Sequence, residues 1–273
     1  MTDGDWLRLN RENWDDRTTV HATSEFYDLP GFRAGRSTLR PFEPDEVGDV
    51  TDKRLVHLQC HMGQDTLSWA RLGARVTGLD FSAAAIETAR TLAAETGLAG
   101  RFVVSDVYDA RTALGGERFD IVYTGFGALV WLPDLRRWAE VLSSLLADGG
   151  FLYLAEFHPF GDVLGDDGRT VAYDYFASDG ATYDDPVTYT DGPALTKTRS
   201  VQWQHPLGEV VTALVRAGLR IDFLHERDLT LFQVFRNLRR TEAGEYRFPD
   251  GLPRVPLTYT IRATKPRSVD GGP

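Results

Sequence analysis

The sequence is nearly without cysteine. Cys60 is the single thiol in 273 residues, which excludes an internal disulfide framework and any multi-cysteine zinc site. No apolar run approaches the roughly 20 residues that span a bilayer, and the acidic opening Met1-Thr-Asp-Gly-Asp-Trp6 lacks the apolar core of a signal peptide. Basic charge is in short supply as well, with 30 Lys and Arg against 40 Asp and Glu for a net charge of −10. Such a chain has no general attraction to phosphate backbones or anionic membrane surfaces. No basic stripe interleaved with aromatics marks a nucleic-acid face. No His, Asp or Glu cluster has metal-ligand spacing, so no metal is expected, and Asp162, Asp166 and Asp167 read as a solvated turn. Repeats and low-complexity tracts are missing too. A soluble, cytoplasmic protein with neither nucleic-acid nor membrane partners is the expectation.

What is present is ordinary globular composition, 42% apolar and 26% charged, in a chain long enough for one or two domains. Four regions differ in texture. Residues 1–53 form an irregular, polar lead-in with Trp6, Trp14, Phe26, Tyr27 and Phe32, punctuated by Pro30-Gly31, Pro41 and Pro44. It is too aromatic for a disordered tail and is expected to pack on the main body. Over 54–157 short apolar runs alternate with helical patterns. Strands are predicted at Leu55–Cys60, Arg75–Leu79, Arg101–Val104, Phe119–Tyr123 and Phe151–Ala155. Between them lie helices at Thr66–Leu72, from a Ser82 cap to Gly97, and from Pro133-Asp134 to Leu145. This alternation reads as βαβ units and a doubly wound α/β parallel sheet covered on both faces. Residues 158–205 break the pattern and look like an insertion with one or two strands, through alternation in Thr170–Phe176 and near Val187–Tyr189. Residues 206–273 complete the sheet with a helix at Gly208–Ala217, a strand at Leu219–Leu224, a Pro-rich loop and a last strand at Leu257–Ala263.

Ligands of such sheets bind beyond the carboxyl ends of the strands. After the first strand comes Gln59-Cys60-His61-Met62-Gly63, a tight turn into a helix N-terminus suited to an anionic group. The second is followed by Asp80-Phe81-Ser82, with a carboxylate placed to accept from a ribose diol. Ser105-Asp106-Val107 follows the third, pairing an acceptor for an exocyclic amine with a small apolar residue for an adenine ring. An anion turn, a diol acceptor and an adenine-edge acceptor together describe an adenosine-containing ligand. Helix capping by Asp80 and turn formation by Asp106 are the structural alternative.

The stretches Val56–Gly63, Val76–Asp80, Ser105-Asp106, Phe119–Tyr123 and Leu146–Phe151 resemble the class I S-adenosylmethionine-dependent methyltransferases. The likeness is nearest to a bacterial subgroup whose first loop reads His-Leu-Gln-Cys-His-x-Gly-x-Asp-Thr-Leu, matched from His57 to Leu67. This resemblance implies a Rossmann-like, seven-stranded sheet with an antiparallel last strand. It implies S-adenosyl-L-methionine as cofactor, with Asp80 on the ribose, Asp106 on the adenine amine and the 59–63 turn at the methionine end. The family usually carries an acid and three glycines in that loop; here stand His57, Gln59, His61 and only Gly63, so polar side chains such as Gln59 and His61 are expected to contact the cofactor, with capping of its helix as the alternative for His61. A dinucleotide oxidoreductase would share the turn and the ribose acid, but its G-x-G-x-x-G fingerprint is missing. A cofactor-binding protein without catalysis is the other alternative.

Methyl transfer from a sulfonium needs alignment and exclusion of water, and a base only where the acceptor loses a proton. Thr124-Gly-Phe126-Gly after the fourth strand offers close backbone approach to the cofactor, with Phe126 and Trp131 as apolar walls. After the fifth, Glu156-Phe157-His158 supplies His158 as candidate base, with an ordering hydrogen bond as the alternative. His21, Trp14 and Tyr27 lie on a segment able to close over the pocket, His21 as a second candidate catalytic group. The insertion carries Tyr173, Tyr175, Phe176, Tyr183 and Tyr189, read as a substrate cap that includes Tyr175, or as a dimerisation arm of a homodimer. The expected reaction is methylation of a small-molecule acceptor, at O or N.

Overall fold

The computed structural model describes residues 5–267 except 178; the Met1–Gly4 part of the acidic opening lies outside the described residues. The lead-in is helical rather than irregular. Helix α1 spans Asp5–His21, followed by α2 (Leu29–Arg33) and α3 (Phe42–Val47). No proline interrupts 5–21, and Arg8 and Glu12 pair at 3.0 Å one turn apart. The buried stripe of α1 is polar, formed by Asn10, Asn13, Arg17, Thr18 and His21 with Val20, so a search for apolar periodicity passes over it.

The core then follows in order: β1 (Arg54–Leu58), α4 (Gln64–Arg71), β2 (Arg75–Asp80), α5 (Ala83–Thr96), β3 (Gly100–Val104), α6 (Ala110–Ala113), β4 (Phe119–Thr124), α7 (Leu135–Leu145) and β5 (Leu146–Phe157). After it come α8 (Pro159–Asp162), β6 (Ala181–Asp184), β7 (Arg199–Gln202), α9 (Leu207–Arg216), β8 (Arg220–Arg227), β9 (Leu229–Thr230), β10 (Arg239–Arg240), β11 (Tyr246–Arg247) and β12 (Thr258–Thr264). Seven strands form one sheet in the order β3-β2-β1-β4-β5-β12-β8. β12 runs antiparallel to both neighbours while β1 to β5 are parallel. This is the doubly wound, seven-stranded arrangement with an antiparallel last strand that the resemblance implied.

Alternation along the strands sends side chains to opposite faces. Val56, Leu58, Val122 and Leu152 pack on one side against Trp138, Leu142 and Leu214 of α7 and α9. Leu55, Val76, Ile121 and Tyr153 face Trp69 of α4 and Val47 of α3 on the other. Ser82 caps α5 by accepting from the Ala85 N–H, and Gly97 closes it in a left-handed conformation. At Gly150 a Cβ would lie 2.9–3.0 Å from three backbone oxygens, those of Asp120, Ala147 and Phe119, so close strand approach demands glycine there. Pairing Leu58 with Leu79 and with Thr124 levels the carboxyl ends of the central strands.

Three expectations need correction. β1 stops at Leu58 and not at Cys60, because Gln59 and His61 take left-handed φ values of 57° and 47°. Thr170–Phe176 and Val187–Tyr189 are not strands beyond a single bridge between Val171 and Leu164. Asp174 and Asp185 instead accept from the N–H groups of Phe176 and Val187 two residues on, local turns that compete with a ladder; the insertion's hairpin is β6–β7. The loop expected before the last strand holds a small sheet, β10-β11-β9, whose two-residue strands are too short to show a period.

The insertion and α1 are joined by side chains that replace missing backbone partners. Asn10 Nδ2 donates to the Val201 carbonyl (2.8 Å) and its Oδ1 accepts from the Val201 N–H (2.7 Å), so a helix side chain completes the edge of β7. Asn13 donates to the Lys197 carbonyl, and Asp16 accepts from the N–H groups of Thr196 and Lys197. Replacing Asn10 by Leu leaves both Val201 backbone groups buried and unpaired, at about 1–3 kcal/mol. Chemical denaturation is expected to show that loss, and hydrogen exchange to show faster exchange at the Val201 amide with the β1–β5 amides unchanged. A variant as stable as the parent would mean that α1 is not held by this pair.

Candidate active site

A cavity of about 1540 Å³ lies over the carboxyl edge of the sheet, with α1, the insertion and the β9–β11 sheet around it. Its cofactor half is lined by Gln59, His61, Gly63, Asp80 and Phe81, with Asp106, Val107 and Phe126 beyond them. Trp14, Tyr27, Trp131 and His158 line it too. Four other candidates do not. Ser82 is fully buried, its Oγ donating to Asp15 of α1 at 2.6 Å. Thr124 is fully buried at the end of β4. Tyr175 packs against a cluster of Val163 and Leu164 with Phe235, Leu238 and Phe248 of the C-terminal region, and accepts from the Leu207 N–H. His21 is fully buried behind His61. Each was placed at the site by its position in sequence; the Ser82, Tyr175 and His21 side chains meet tertiary partners, and Thr124 Oγ1 is buried with none.

Asp80 closes β2 with its carboxylate accepting from the His61 N–H (2.8 Å) and the Ser82 N–H (2.9 Å). One oxygen goes to each donor, which leaves each a further lone pair. Burial pushes its carboxyl up to about 6, while those N–H groups pull it down. Asp106 accepts from the Tyr108 N–H through Oδ1 and keeps Oδ2 without a protein partner; burial raises its pKa too. Both carboxylates therefore cap structure and still present acceptors to the cavity.

The first loop takes its shape without most of the glycines. Left-handed backbone at Gln59 and His61 costs about 1–2 kcal/mol per residue, offset by bonds the conformation makes. The His61 N–H reaches Asp80, and Gln59 Nε2 donates to the Ala128 carbonyl at 2.9 Å. Gln59 Oε1 is buried with no partner. Gly63, at φ 74°, is required for a second reason: a Cβ there would come within 2.7 Å of the Phe102 ring and 2.8 Å of Ala89.

Beneath Gly125 is a polar cradle that sequence reading missed. A Cβ on Gly125 would lie 3.5 Å from each of Asp65 Oδ2, His57 Nε2 and Tyr123 Oη. Tyr123 donates to Glu43 Oε2 at 2.7 Å, and Thr38 donates to Asp65 Oδ1 at 2.5 Å. Burial, with repulsion from Asp65, pushes Glu43 up to about 7; burial raises Asp65 and lowers His57 to about 3. Arg40 also lines this end of the cavity. Glu43 and Arg40 belong to the lead-in, far from the strand-end motifs, so only His57 and Asp65 within the matched loop offered a signal.

Opposite the cradle, aromatic rings form the wall. Trp14 meets His61 and Trp131 edge to face at 5.0 and 5.2 Å, with Arg17 against both tryptophans at 5.5 and 5.6 Å. Tyr27 and Tyr189 share a hydrogen bond of 2.5 Å between hydroxyls, and Tyr189 stacks on Phe232. Thr188 Oγ1, His21 and His61 form a chain, with His21 Nε2 2.9 Å from Thr188 and His21 Nδ1 3.0 Å from His61 Nε2. Burial lowers His21 to about 2 and His61 to about 3, so both rings are neutral at pH 7.

Glu156 is a loop anchor. Its carboxylate accepts from the N–H groups of Gly127, Ala128, Leu129 and Phe157 at 2.5–2.9 Å. His158 accepts from the Phe160 N–H at Nδ1 (3.0 Å), and its Nε2 lies 2.9 Å from Glu226 Oε1. With Nδ1 occupied and Nε2 facing a carboxylate, the ring positions α8 and has no free lone pair for a base. This is the ordering hydrogen bond that stood as the alternative to a base. Asp162, Asp166 and Asp167 are exposed, as expected of a solvated turn; Asp167 turns the chain at Arg169 and Thr170, and Asp162 and Asp166 also line the cavity.

Comparison with known proteins agrees with this geometry. Residues 56–150 match the family model described as a methyltransferase domain. A ubiquinone biosynthesis O-methyltransferase from Histophilus somni (strain 2336) is 30% identical over 113 residues, 40% of this chain and 47% of that protein; the chain spans about half the length of the curated relatives it matches. Among solved structures, a SAM-dependent methyltransferase from Methanosarcina mazei superposes with a TM-score of 0.57 at 21% identity, covering 84% of this chain and 99% of that one. The CcbJ methyltransferase from Streptomyces caelestis gives 0.61 at 17% identity, covering 94% and 99%. The fold is thus the Rossmann-like fold of S-adenosylmethionine-dependent methyltransferases. Among the described residues no helix is long and apolar enough to cross a membrane.

The buried histidine chain has a consequence for stability. His21 is neutral when folded, with its pKa lowered to about 2, but titrates near 6.5 when unfolded. The unfolded state therefore binds the extra proton below 6.5, and the contribution present above that pH is lost as pH falls toward 2. Relative to His21→Gln, the parent is expected to lose up to about 1.4 kcal/mol of unfolding free energy per pH unit below 6.5. Denaturation at pH 7.0, 6.0 and 5.0 measures it; parallel curves for the two proteins would show that His21 is not buried neutral.

Proposed function

We propose that this protein is an S-adenosylmethionine-dependent methyltransferase acting on a small-molecule acceptor, at an oxygen or nitrogen atom. The observation that carries the reading is the pair Asp80 and Asp106 at the carboxyl ends of adjacent strands, each using its carboxylate in the turn yet keeping an acceptor toward the cavity. In this reading Asp80 accepts from the ribose hydroxyls, Asp106 accepts from the adenine amine, and Val107 and Phe81 flank the base. The cradle under Gly125 suits the amino-acid end, since Asp65 and Glu43 face an ammonium and Arg40 a carboxylate. A side chain at 125 would fill that space. When bound, the cofactor supplies an electrophilic methyl on a sulfonium. The chain contributes alignment and dryness, with Phe126 and Phe157 in ring contact at 5.4 Å and Trp14 and Trp131 at 5.2 Å as apolar walls. The O-methyltransferase relatives support a small acceptor. The acidic charge supports it too.

Calorimetry is expected to show binding of S-adenosylhomocysteine without competition from NAD. Asp80→Asn should weaken binding roughly 10- to 100-fold, the effect of about 1–3 kcal/mol from unsatisfied polar partners. Labelled methyl groups should pass into a small-molecule fraction and not into RNA or protein. Binding of NAD alone, or unchanged affinity in Asp80→Asn, would overturn the assignment.

The lead-in and the insertion serve in this reading as one lid, because α1 and residues 187–201 are bonded to each other at Asn10, Asn13, Asp16 and His21. Hydrogen exchange should show 14–27 and 187–191 gaining protection together when S-adenosylhomocysteine is added. Protection in one segment without the other would separate them.

A further inference from the structure

Among the described residues Arg17 is the one Lys or Arg that is buried, at 7% exposure, and it lines the cavity. Its Nε donates to Asn13 Oδ1 at 2.7 Å and its Nη1 to Thr188 Oγ1 at 3.2 Å. Among the same residues Nη2 reaches no acceptor, and no carboxylate forms an ion pair with the guanidinium. Burial lowers its pKa, and Asp185, which opposes that shift, stays beyond ion-pair reach. A guanidinium keeps its proton at pH 7 all the same, so a full positive charge lies buried without a counter-ion. The other arginines on the cavity differ. Arg36 is exposed and paired with Asp28, Arg240 is exposed, and Arg40 is half-buried at the cradle.

The hydrogen bonds of this wall also end in a donor. Thr188 Oγ1 accepts from Arg17, and the acceptor within reach of its own proton is His21 Nε2 at 2.9 Å. With that bond made, neutral His21 carries its proton at Nδ1 and donates to His61 Nε2 at 3.0 Å. His61 then carries its own proton at Nδ1, a buried atom with no partner. Arg17 Nη2 and His61 Nδ1 are thus two donors without acceptors, on residues that lie against Trp14 and line the cavity. Burying a donor unpaired is costly, and burying a charge more so. Glu25, Asp162, Asp166 and Asp191 bring negative charge to the lining, but all four are exposed, where solvent and salt screen them.

Building on the methyltransferase reading, we propose that the methyl acceptor carries a carboxylate and that Arg17 binds it, with Trp14 and Trp131 against the apolar part of the molecule. The planar fork of a guanidinium matches the two oxygens of a carboxylate. One uncompensated positive charge balances one negative charge, which favours a carboxylate over a doubly charged phosphate. Arg17 is then a specificity-determining residue of the acceptor site, on the wall opposite the cradle where Arg40 faces the carboxylate of the cofactor.

The test titrates benzoate, phenylacetate and 3-phenylpropanoate, and the primary amide of each, into the full chain by calorimetry with and without S-adenosylhomocysteine. In the parent at least one acid should bind about tenfold more tightly than its amide, the gain of a charged over a neutral hydrogen-bond partner. Arg17→Gln should remove that preference, and Arg17→Lys, which keeps the charge without the fork, should reduce it. S-adenosylhomocysteine and 5′-methylthioadenosine, which lacks the amino-acid end, are titrated into the same proteins, and the ratio of their affinities should not change. A purely structural role for Arg17 would weaken acid and amide alike and leave the preference intact. That result, or no preference in the parent, would overturn the proposal. A changed nucleoside ratio would overturn it as well, by placing Arg17 on the carboxylate of the cofactor. Should Arg17→Gln fail to fold, Arg17→Lys decides the matter, and an unchanged preference in it counts against the proposal. Failure of both nucleosides to bind would count against the methyltransferase reading alone, since the acid and amide titrations without them still report on Arg17.

Discussion

A parallel sheet ends all its strands on one edge, and that edge cannot by itself enclose a ligand. Everything above it here depends on a roof made from parts of the chain nearly 200 residues apart, pinned where the Asn10 amide pairs with both backbone groups of Val201. Because β7 is an edge strand, its N–H and C=O groups need partners, and a helix side chain provides them. Once α1 is held there, Asp15 meets Ser82 at the start of α5, Trp14 covers His61, and Tyr27 comes within hydrogen-bond reach of Tyr189. The aromatic wall of the cavity is thus a consequence of a polar contact.

The same economy governs the floor. Buried carboxylates are used twice, first to hold a turn and then to face the cavity. Asp80 ties the left-handed backbone of His61 to the start of α5, so strain in the first loop and the ribose acceptor are one feature. Glu156 gathers four backbone N–H groups and thereby sets the course of the loop carrying Phe126 and Trp131. A group saturated in this way is a poor acid or base, and Glu156 is an anchor for the loop.

The candidate site was legible where chemistry coincides with strand ends. Asp80, Asp106, Gln59, His61 and Phe126 all line the cavity, because a residue after a strand in this fold must lie at the carboxyl edge. Ser82, Thr124, His21 and Tyr175 illustrate the limit of that rule. Position brings a residue to the edge, but rotamer and neighbours decide whether its side chain points at the cavity, at Asp15, or into a separate core.

By itself the sequence determined the seven-stranded sheet, its helices and the acids at its edge, because apolar periodicity is a local signal that burial on two faces writes into each segment. The roof was decided only by tertiary structure. The buried face of α1 is Asn10, Asn13, Arg17 and His21, a stripe with no apolar period, and its burial is favourable only because the partners at Lys197, Thr188 and Val201 arrive from the insertion. The cradle of Glu43, Asp65 and His57 arose in the same way, from residues that the sheet and α3 bring together beneath Gly125. Polar burial is a property of pairs, and a pair separated by many residues leaves no local pattern to read.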